Sequence, residues 1–258
     1  MNIARIRPVD NVRVARVQLP ALGPDGAAPD PLRRQQLGFC GRPGVCYSRT
    51  AMPTSPRSRI PTQGPIRLDR SNCRSIAELF DNGNALELEI GAGKGKFLLY
   101  RAEILPDVNF IGIDYVWKYL KIGWQRAQKR ELENLRFFKA EAIEVVRHLT
   151  PATSVSIFHI YFPDPWHKRR HHKRRYLTAE FVRLLHDRLV PGGLLELATD
   201  NFDYYMWLQA MLIEAGEDLW SRRREQKNER ILNPEMKTNF ELKYEAEGRE
   251  LYYLELAK

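Results

Sequence analysis

The sequence predicts an α/β fold: a mostly parallel sheet with helices on both faces. Three observations carry this. From about residue 74, strand-like apolar runs alternate with segments of helical period, and strands joined through helices pair in parallel. A glycine-rich turn, GAGKG (91–95), stands between the first strand and the first long helix. The run VSIFHIYF (155–162) is too apolar at its centre for a half-exposed edge strand.

Taken in order, SIAELF predicts a short helix, and ALELEI (85–90) the first strand. A helix follows the glycine turn to about Leu105, and NFIGID (109–114) is the next strand. VWKYLKIGWQRAQKR reads as a helix whose basic end suits the helix dipole. LRFFKA is the third strand, with a helix over 142–149, and VSIFHIYF is the fourth. A helix over 178–189 leads through a Pro-Gly-Gly turn into the strand LLELAT (194–199), and a further helix covers 202–215. Met206, Trp207 and Leu208 lie in that apolar helix and read as core.

The chain divides into 1–70 and 71–258. Residues 1–70 hold twelve Arg, no Lys, four Asp and no Glu, and so carry +8 of the net +9. They also hold ten of the sixteen prolines and show no sustained apolar period, so they read as disordered. Three explanations stand: an Arg-rich tail adding non-specific RNA affinity, a segment resembling a transit peptide, or sequence ahead of a true start nearer Met52. The abrupt switch from Lys-free to Lys-containing sequence favours the third. Basicity is therefore a property of the first segment, and an argument for nucleic acid must rest on local charge.

The 43% hydrophobic, 28% charged composition is that of a soluble globular protein. No run of 18 apolar residues predicts a membrane span, and the start has no apolar signal region. Cys40, Cys46 and Cys73 form neither a disulfide framework nor a zinc pattern, which fits a reducing cytoplasm.

In such sheets ligands bind outside the carboxyl ends of the strands. Five features fall there: GAGKG, Asp114, Glu141, the turn PDPW (163–166) and Thr199–Asp200. Gly91, Gly93 and Gly95 allow a tight turn and close approach to a ligand. The dinucleotide fingerprint needs glycine at 96, where Lys96 stands. Asp114, nineteen residues after Gly95, can accept from both ribose hydroxyls. Together these suit an adenosyl cofactor without a pyrophosphate; a packing loop and a strand-end Asp of any nucleotide fold is the alternative. Glu89 can face the cationic methionine portion of such a cofactor, or be a solvent-facing residue of an alternating edge segment. Glu141 can accept from adenine or ribose, or serve only the first turn of its helix.

FPDPWHKRRHHKRR (162–175) is the most specific stretch. It resembles the tRNA (guanine-N7)-methyltransferase family, which reads F-P-D-P-W-x-K-x-x-H-x-K-R-R, and it matches at every fixed position. The resemblance spans about 74–258 and takes in LEIG (88–91), the strand ending GID, Thr199–Asp200 and TNFE (238–241). It implies a class I methyltransferase fold and S-adenosyl-L-methionine as cofactor. The implied activity is methylation of guanosine N7 in tRNA, at position 46 of the variable loop. Asp164 is implied as the catalytic residue. Glu89, Gly91, Asp114, Glu141 and Asp164 are implied as cofactor-binding, and Lys168, Asp200, Thr238, Asn239, Phe240 and Glu241 as substrate-binding. The sequence departs from one common ending, with Lys243 where many members have Arg.

The residues support that chemistry in their own right. Guanine N7 has a lone pair and no proton, so its methylation needs no general base, and a carboxylate beside it stabilises the positive charge that develops. Asp164, pinned between two prolines, has little freedom to stray; an anchoring Pro-Asp-Pro turn is its bland reading. HKRRHHKRR (167–175) can track a phosphate backbone. His167, His171 and His172 lack the Cys or carboxylate partners of a metal site, and no metal is expected. Thr238-x-x-Glu241 also reads as a helix capping box, and both roles can hold at once. RRREQK (222–227) extends an RNA surface or is plain solvated charge. The expected partner is tRNA, with no obligate protein subunit, for a cytoplasmic monomer or homodimer. Two rivals remain. A methyltransferase for protein or small molecules would not need the 167–175 run. A non-catalytic RNA-binding module would show a damaged cofactor loop, yet Glu89, the glycines, Asp114 and Asp164 are all present.

Overall fold

The computed structural model describes residues 66–67, 73, 75–231 and 234–258. Apart from Ile66–Arg67, the segment read as disordered lies outside the described residues. Those two form a short strand, β1, paired in parallel with Phe138–Lys139.

The strands are β2 (Ala85–Ile90), β3 (Val108–Asp114), β4 (Leu135–Lys139), β5 (Val155–Tyr161), β6 (Leu189–Thr199), β7 (Arg222–Lys227) and β8 (Tyr252–Ala257). With β1 they make an eight-stranded sheet in the order β1-β4-β3-β2-β5-β6-β8-β7. Strands β1 to β6 run parallel, and β8 lies antiparallel between β6 and β7. The five predicted strands and their parallel pairing stand. The two-stranded C-terminal edge was not predicted, and RRREQK turns out to be β7, with every residue exposed. Strand β6 begins at Leu189, earlier than expected, because its Pro-Gly-Gly turn is absorbed into an irregular register against β5. SIAELF forms only a 3₁₀ turn, Ile76–Leu79.

The helices are α1 (Lys96–Ile104), α2 (Trp117–Lys129), α3 (Ala142–His148), α4 (Ala179–Arg188), α5 (Phe202–Ala215) and α6 (Asn239–Ala246). One apolar layer joins Val145, Phe181, Leu185 and Leu208 of α3, α4 and α5 to the sheet. The other joins Phe97 and Leu98 of α1, Leu120 of α2 and Met236 before α6. Thr178 starts α4, its hydroxyl accepting from Phe181 N, and Asn201 starts α5 by accepting from Tyr204 N. Helix α5 is less uniformly core than its apolar sequence implied: Leu208 is buried and Trp207 half-buried, but Met206 is exposed.

The order in which strands are added reverses between β2 and β5, since β3 and β4 lie to one side and β6 to the other. The loops after β2 and β5 therefore part at their carboxyl ends, where a crevice forms. The glycine turn and PDPW are those two loops.

Candidate active site

Strand β2 ends in the glycine turn. Gly91, Gly93 and Gly95 all have positive φ, which a side chain would strain. A Cβ on Gly91 would meet nothing within 4 Å, so this backbone faces open space. A Cβ on Gly95 would lie 2.3 Å from the Phe137 ring, so the third glycine serves close packing of α1 on β4. Asp114, at the end of β3, accepts from Gly93 N at 2.9 Å and Val116 N at 2.7 Å. Its carboxylate thus fixes the glycine turn and the start of α2 together.

Glu89 lies in β2, flanked by β3 and β5, and is 4% exposed. The reading of it as a solvent-facing edge residue is therefore wrong. Its Oε2 is buried with no hydrogen-bond partner among the described residues. Burial raises its carboxyl to about 7, against the pull of His159 and Arg230 and with a further push from Asp114 and Glu241. A buried carboxylate with an orphaned oxygen, beside a glycine turn open to one side, suits a ligand carrying an ammonium group. That donor set fits the S-adenosylmethionine implied by the sequence.

Glu141 stands at the N-cap of α3, but its side chain makes no capping bond. It borders a cleft of about 340 Å³ with Lys173, Arg174 and Tyr176.

Beyond β5 the backbone is strained. Phe162 and Trp166 have φ of 52° and 50°, a region costly for side-chain-bearing residues, and they bracket Pro163–Asp164–Pro165. Three anchors hold this turn. Phe162 N donates to Ala198 O at 2.8 Å. The Phe162 ring packs edge-on against Tyr244 of α6, with centroids 5.5 Å apart. Arg175 donates to Pro165 O at 2.9 Å and pairs with Asp203 of α5 at 2.5 Å. Asp164 itself is exposed. The Tyr176 phenol is raised well above its usual value by burial, then by Tyr204, Asp164 and Asp114.

The basic run divides on folding. Arg175 is 3% exposed and holds the turn, so it is not free to track phosphate. Arg174 lies over the Trp166 ring at 4.7 Å. Lys168, Arg169, Arg170 and Lys173 are exposed, and 169–174 form a 3₁₀ segment. The three histidines part company: His167 meets Asn201, His171 packs edge-on against Trp166, and His172 turns a ring nitrogen inward.

Asp200, at the end of β6, pairs with Arg249 at 2.8 Å. Thr238 and Glu241 complete both arms of the capping box at the start of α6. Glu241 is fully buried, accepting from Arg230, Tyr253 and Thr238 N. Of TNFE, Asn239 and Phe240 are the exposed members.

A buried polar layer beneath this rim escaped sequence reasoning. Arg101 of α1 grips Glu87 through Nε at 2.7 Å and NH2 at 2.5 Å. Glu87 bonds His159 at 3.0 Å, and His159 bonds Glu196 at 2.9 Å. Tyr161 donates to Glu196. The signal was present: Glu87, Glu89 and Glu196 interrupt apolar strands at the period of two that puts them on one face.

Comparisons with known proteins agree with this geometry. A family model described as "Putative methyltransferase" matches residues 84–254. The tRNA (guanine-N(7)-)-methyltransferase of Rubrobacter xylanophilus is 32% identical over 184 residues, 71% of this chain and 81% of its own length. The chain belongs to the tRNA (guanine-N(7)-)-methyltransferase family. Its counterpart in Thiobacillus denitrificans is 39% identical over 70% of this chain and 76% of its own. The crystal structure of the 16S rRNA methyltransferase KamB superposes with a TM-score of 0.51 at 18% identity, covering 70% of this chain and 91% of that one, which shows a shared fold. As a member of this family the chain is an S-adenosylmethionine-dependent methyltransferase with the class I fold. Among the described residues no helix is long and apolar enough to cross a membrane.

Proposed function

We propose that this family member methylates N7 of the guanosine at variable-loop position 46 of tRNA, with Asp164 as the catalytic carboxylate. The observation that carries the reading is the strained, triply anchored Pro163–Asp164–Pro165 turn, which presents an exposed carboxylate at the switch point opposite the glycine turn.

Glu89, Gly91, Asp114 and Glu141 hold the cofactor, with Glu89 taking its ammonium group. Bound S-adenosylmethionine supplies an electrophilic methyl group on a sulfonium. The N7 lone pair forms the new N–C bond while the S–C bond breaks, and S-adenosylhomocysteine leaves. No proton moves at N7, so no side chain acts as base. Positive charge passes to the purine, where Asp164 stabilises it. Asp200 accepts from the amino edge of the base. Asn239 and Phe240, exposed at the start of α6, contact the target nucleotide, while Thr238 and Glu241 hold that helix in place. Lys168 and the exposed cations after it meet phosphates. The enzyme works on soluble tRNA in the cytoplasm, without an obligate protein subunit.

The test is incubation with methyl-labelled S-adenosylmethionine and unmodified tRNA, followed by digestion to nucleosides and mapping of the labelled position. The expected product is 7-methylguanosine alone, at position 46. Label in another nucleoside, or in protein, would overturn the reading.

A further inference from the structure

Arg249 lies between α6 and β8, outside every motif read from the sequence. Its NH1 pairs with Asp200 at 2.8 Å and its NH2 with Glu247 at 2.6 Å. Its guanidinium lies 4.4 Å from the centre of the Tyr244 ring. Tyr244 in turn packs on Phe162, next to the catalytic turn, and stacks with the half-exposed Phe240. Burial, then Asp200, raises the Tyr244 phenol, with Glu247 and Asp164 adding to the push. Asp200 Oδ2 takes the arginine; its Oδ1 accepts no hydrogen bond among the described residues.

We propose that Arg249 is a specificity-determining residue, donating to O6 of the target guanine while Asp200 accepts from N1–H and the 2-amino group. The inference rests on the guanosine reading above. Its logic is complementarity. Guanine is the purine that offers an acceptor at position 6 beside donors at positions 1 and 2. Arginine normally takes guanine O6 and N7 together, but here N7 must stay open for the methyl group. A single arginine donor aimed at O6, with the guanidinium otherwise held by Asp200 and Glu247, meets that restriction. Adenine would set its 6-amino group against the guanidinium and its N1 lone pair against the carboxylate, and both contacts would repel. The aromatic surface of Phe240 and Tyr244 gives the base a face to lie on.

The test pairs protein variants with substituted tRNAs in a double cycle. The target guanosine, first located with wild-type enzyme, is replaced by 2-aminopurine, which lacks O6 and with it the N1 proton, or by inosine, which keeps O6 and N1–H but lacks the 2-amino group. The effect of each Arg249 variant is compared within one tRNA, so the loss of N1–H cancels. The reading is kcat/KM for methyl transfer. Arg249→Met is expected to slow the guanosine and inosine tRNAs alike, by about tenfold, the size of a charged hydrogen bond, and the 2-aminopurine tRNA by less than about twofold. Arg249→Lys, which keeps one donor, should recover part of the loss on the guanosine and inosine tRNAs and change little on the 2-aminopurine tRNA. An equal loss on guanosine and 2-aminopurine tRNAs would overturn the assignment. Absence of 7-methylguanosine from every tRNA with wild-type enzyme would overturn the guanosine reading, and this inference with it.

Discussion

Strands β2, β5 and β6 carry charged residues in two places, and the two places behave differently. In mid-strand, Glu87, His159 and Glu196 are buried and bonded to one another and to Arg101. At the carboxyl ends, Asp164 is exposed and Asp200 has an uncommitted oxygen among the described residues. The lower layer closes its own charge balance and so belongs to the fold; the upper rim leaves groups unspent and so belongs to chemistry. Glu89 sits at the border, buried like the first set, and with one carboxylate oxygen that accepts no hydrogen bond among the described residues, like Asp200.

The largest effect should come from breaking the lower layer. Glu87→Gln leaves Arg101 and His159 short of a counter-charge in the interior, and removing one partner of a buried pair costs about 3–5 kcal/mol. Thermal unfolding should show a large fall in Tm. A fall of only a degree or two would mean that the layer is wetter and weaker than its burial implies. The layer also sets a pH window. Burial pushes the Glu87 carboxyl up, but His159 and Arg101 outweigh it and leave it lowered, so its contribution is lost as pH falls below its usual value of 4.5. Burial pushes His159 down, but Glu196 and Glu87 outweigh it and leave it raised, so its contribution is complete below 6.5 and lost as pH rises through the raised value. Stability from this layer should peak between those limits.

Glu89 gives the next effect. Its carboxyl is raised from 4.5 to about 7, so the cofactor-free protein loses stability as pH rises from 4.5 through about 7, by up to about 3 kcal/mol in all. Glu89→Gln should therefore unfold at a higher temperature than wild type at pH 8, yet bind S-adenosylmethionine more weakly. Wild-type affinity, measured by calorimetry, should fall as pH drops below 7, and the variant's should not. Parallel pH profiles would remove Glu89 from the cofactor seat.

Much of this was legible in the sequence, and the gaps have physical causes. Alternating strand and helix periods placed β2 to β6, and the loops at their ends stood out because glycine and proline constrain backbone. The last two strands were not assigned: β7 is wholly polar and gives no signal, whereas β8 (YYLELA) carries the same apolar run as the other strands, and only its antiparallel place between β6 and β7 needs the fold to show it. Arg175 looked like one more cation in a basic run; only folding shows it spent on Pro165 and Asp203. The capping box at Thr238 was visible as a spacing, but Glu241's burial under Arg230 was not, since Arg230 lies outside that motif.

The smallest effect belongs to the exposed cations. Reversing charge at Lys168, Arg169 and Arg170 should weaken tRNA binding and flatten its salt dependence by roughly one log-log unit per lost phosphate contact. Cofactor affinity should hold, because none of these side chains fastens the catalytic turn. Collapse of cofactor binding would show that the segment supports the pocket, and the division between layer and rim would fail there.

The rim's central claim is that Asp164 acts by its charge. Asp164→Asn keeps the shape and removes that charge. With purified, folded protein and saturating tRNA, single-turnover methyl transfer should fall on the order of 100- to 1000-fold. Cofactor affinity should fall less, tRNA binding should hold, and the loss should stay constant with pH near neutrality because no base is involved. A rate within about threefold of wild type would contradict the claim, since that is too little for a central charge contact.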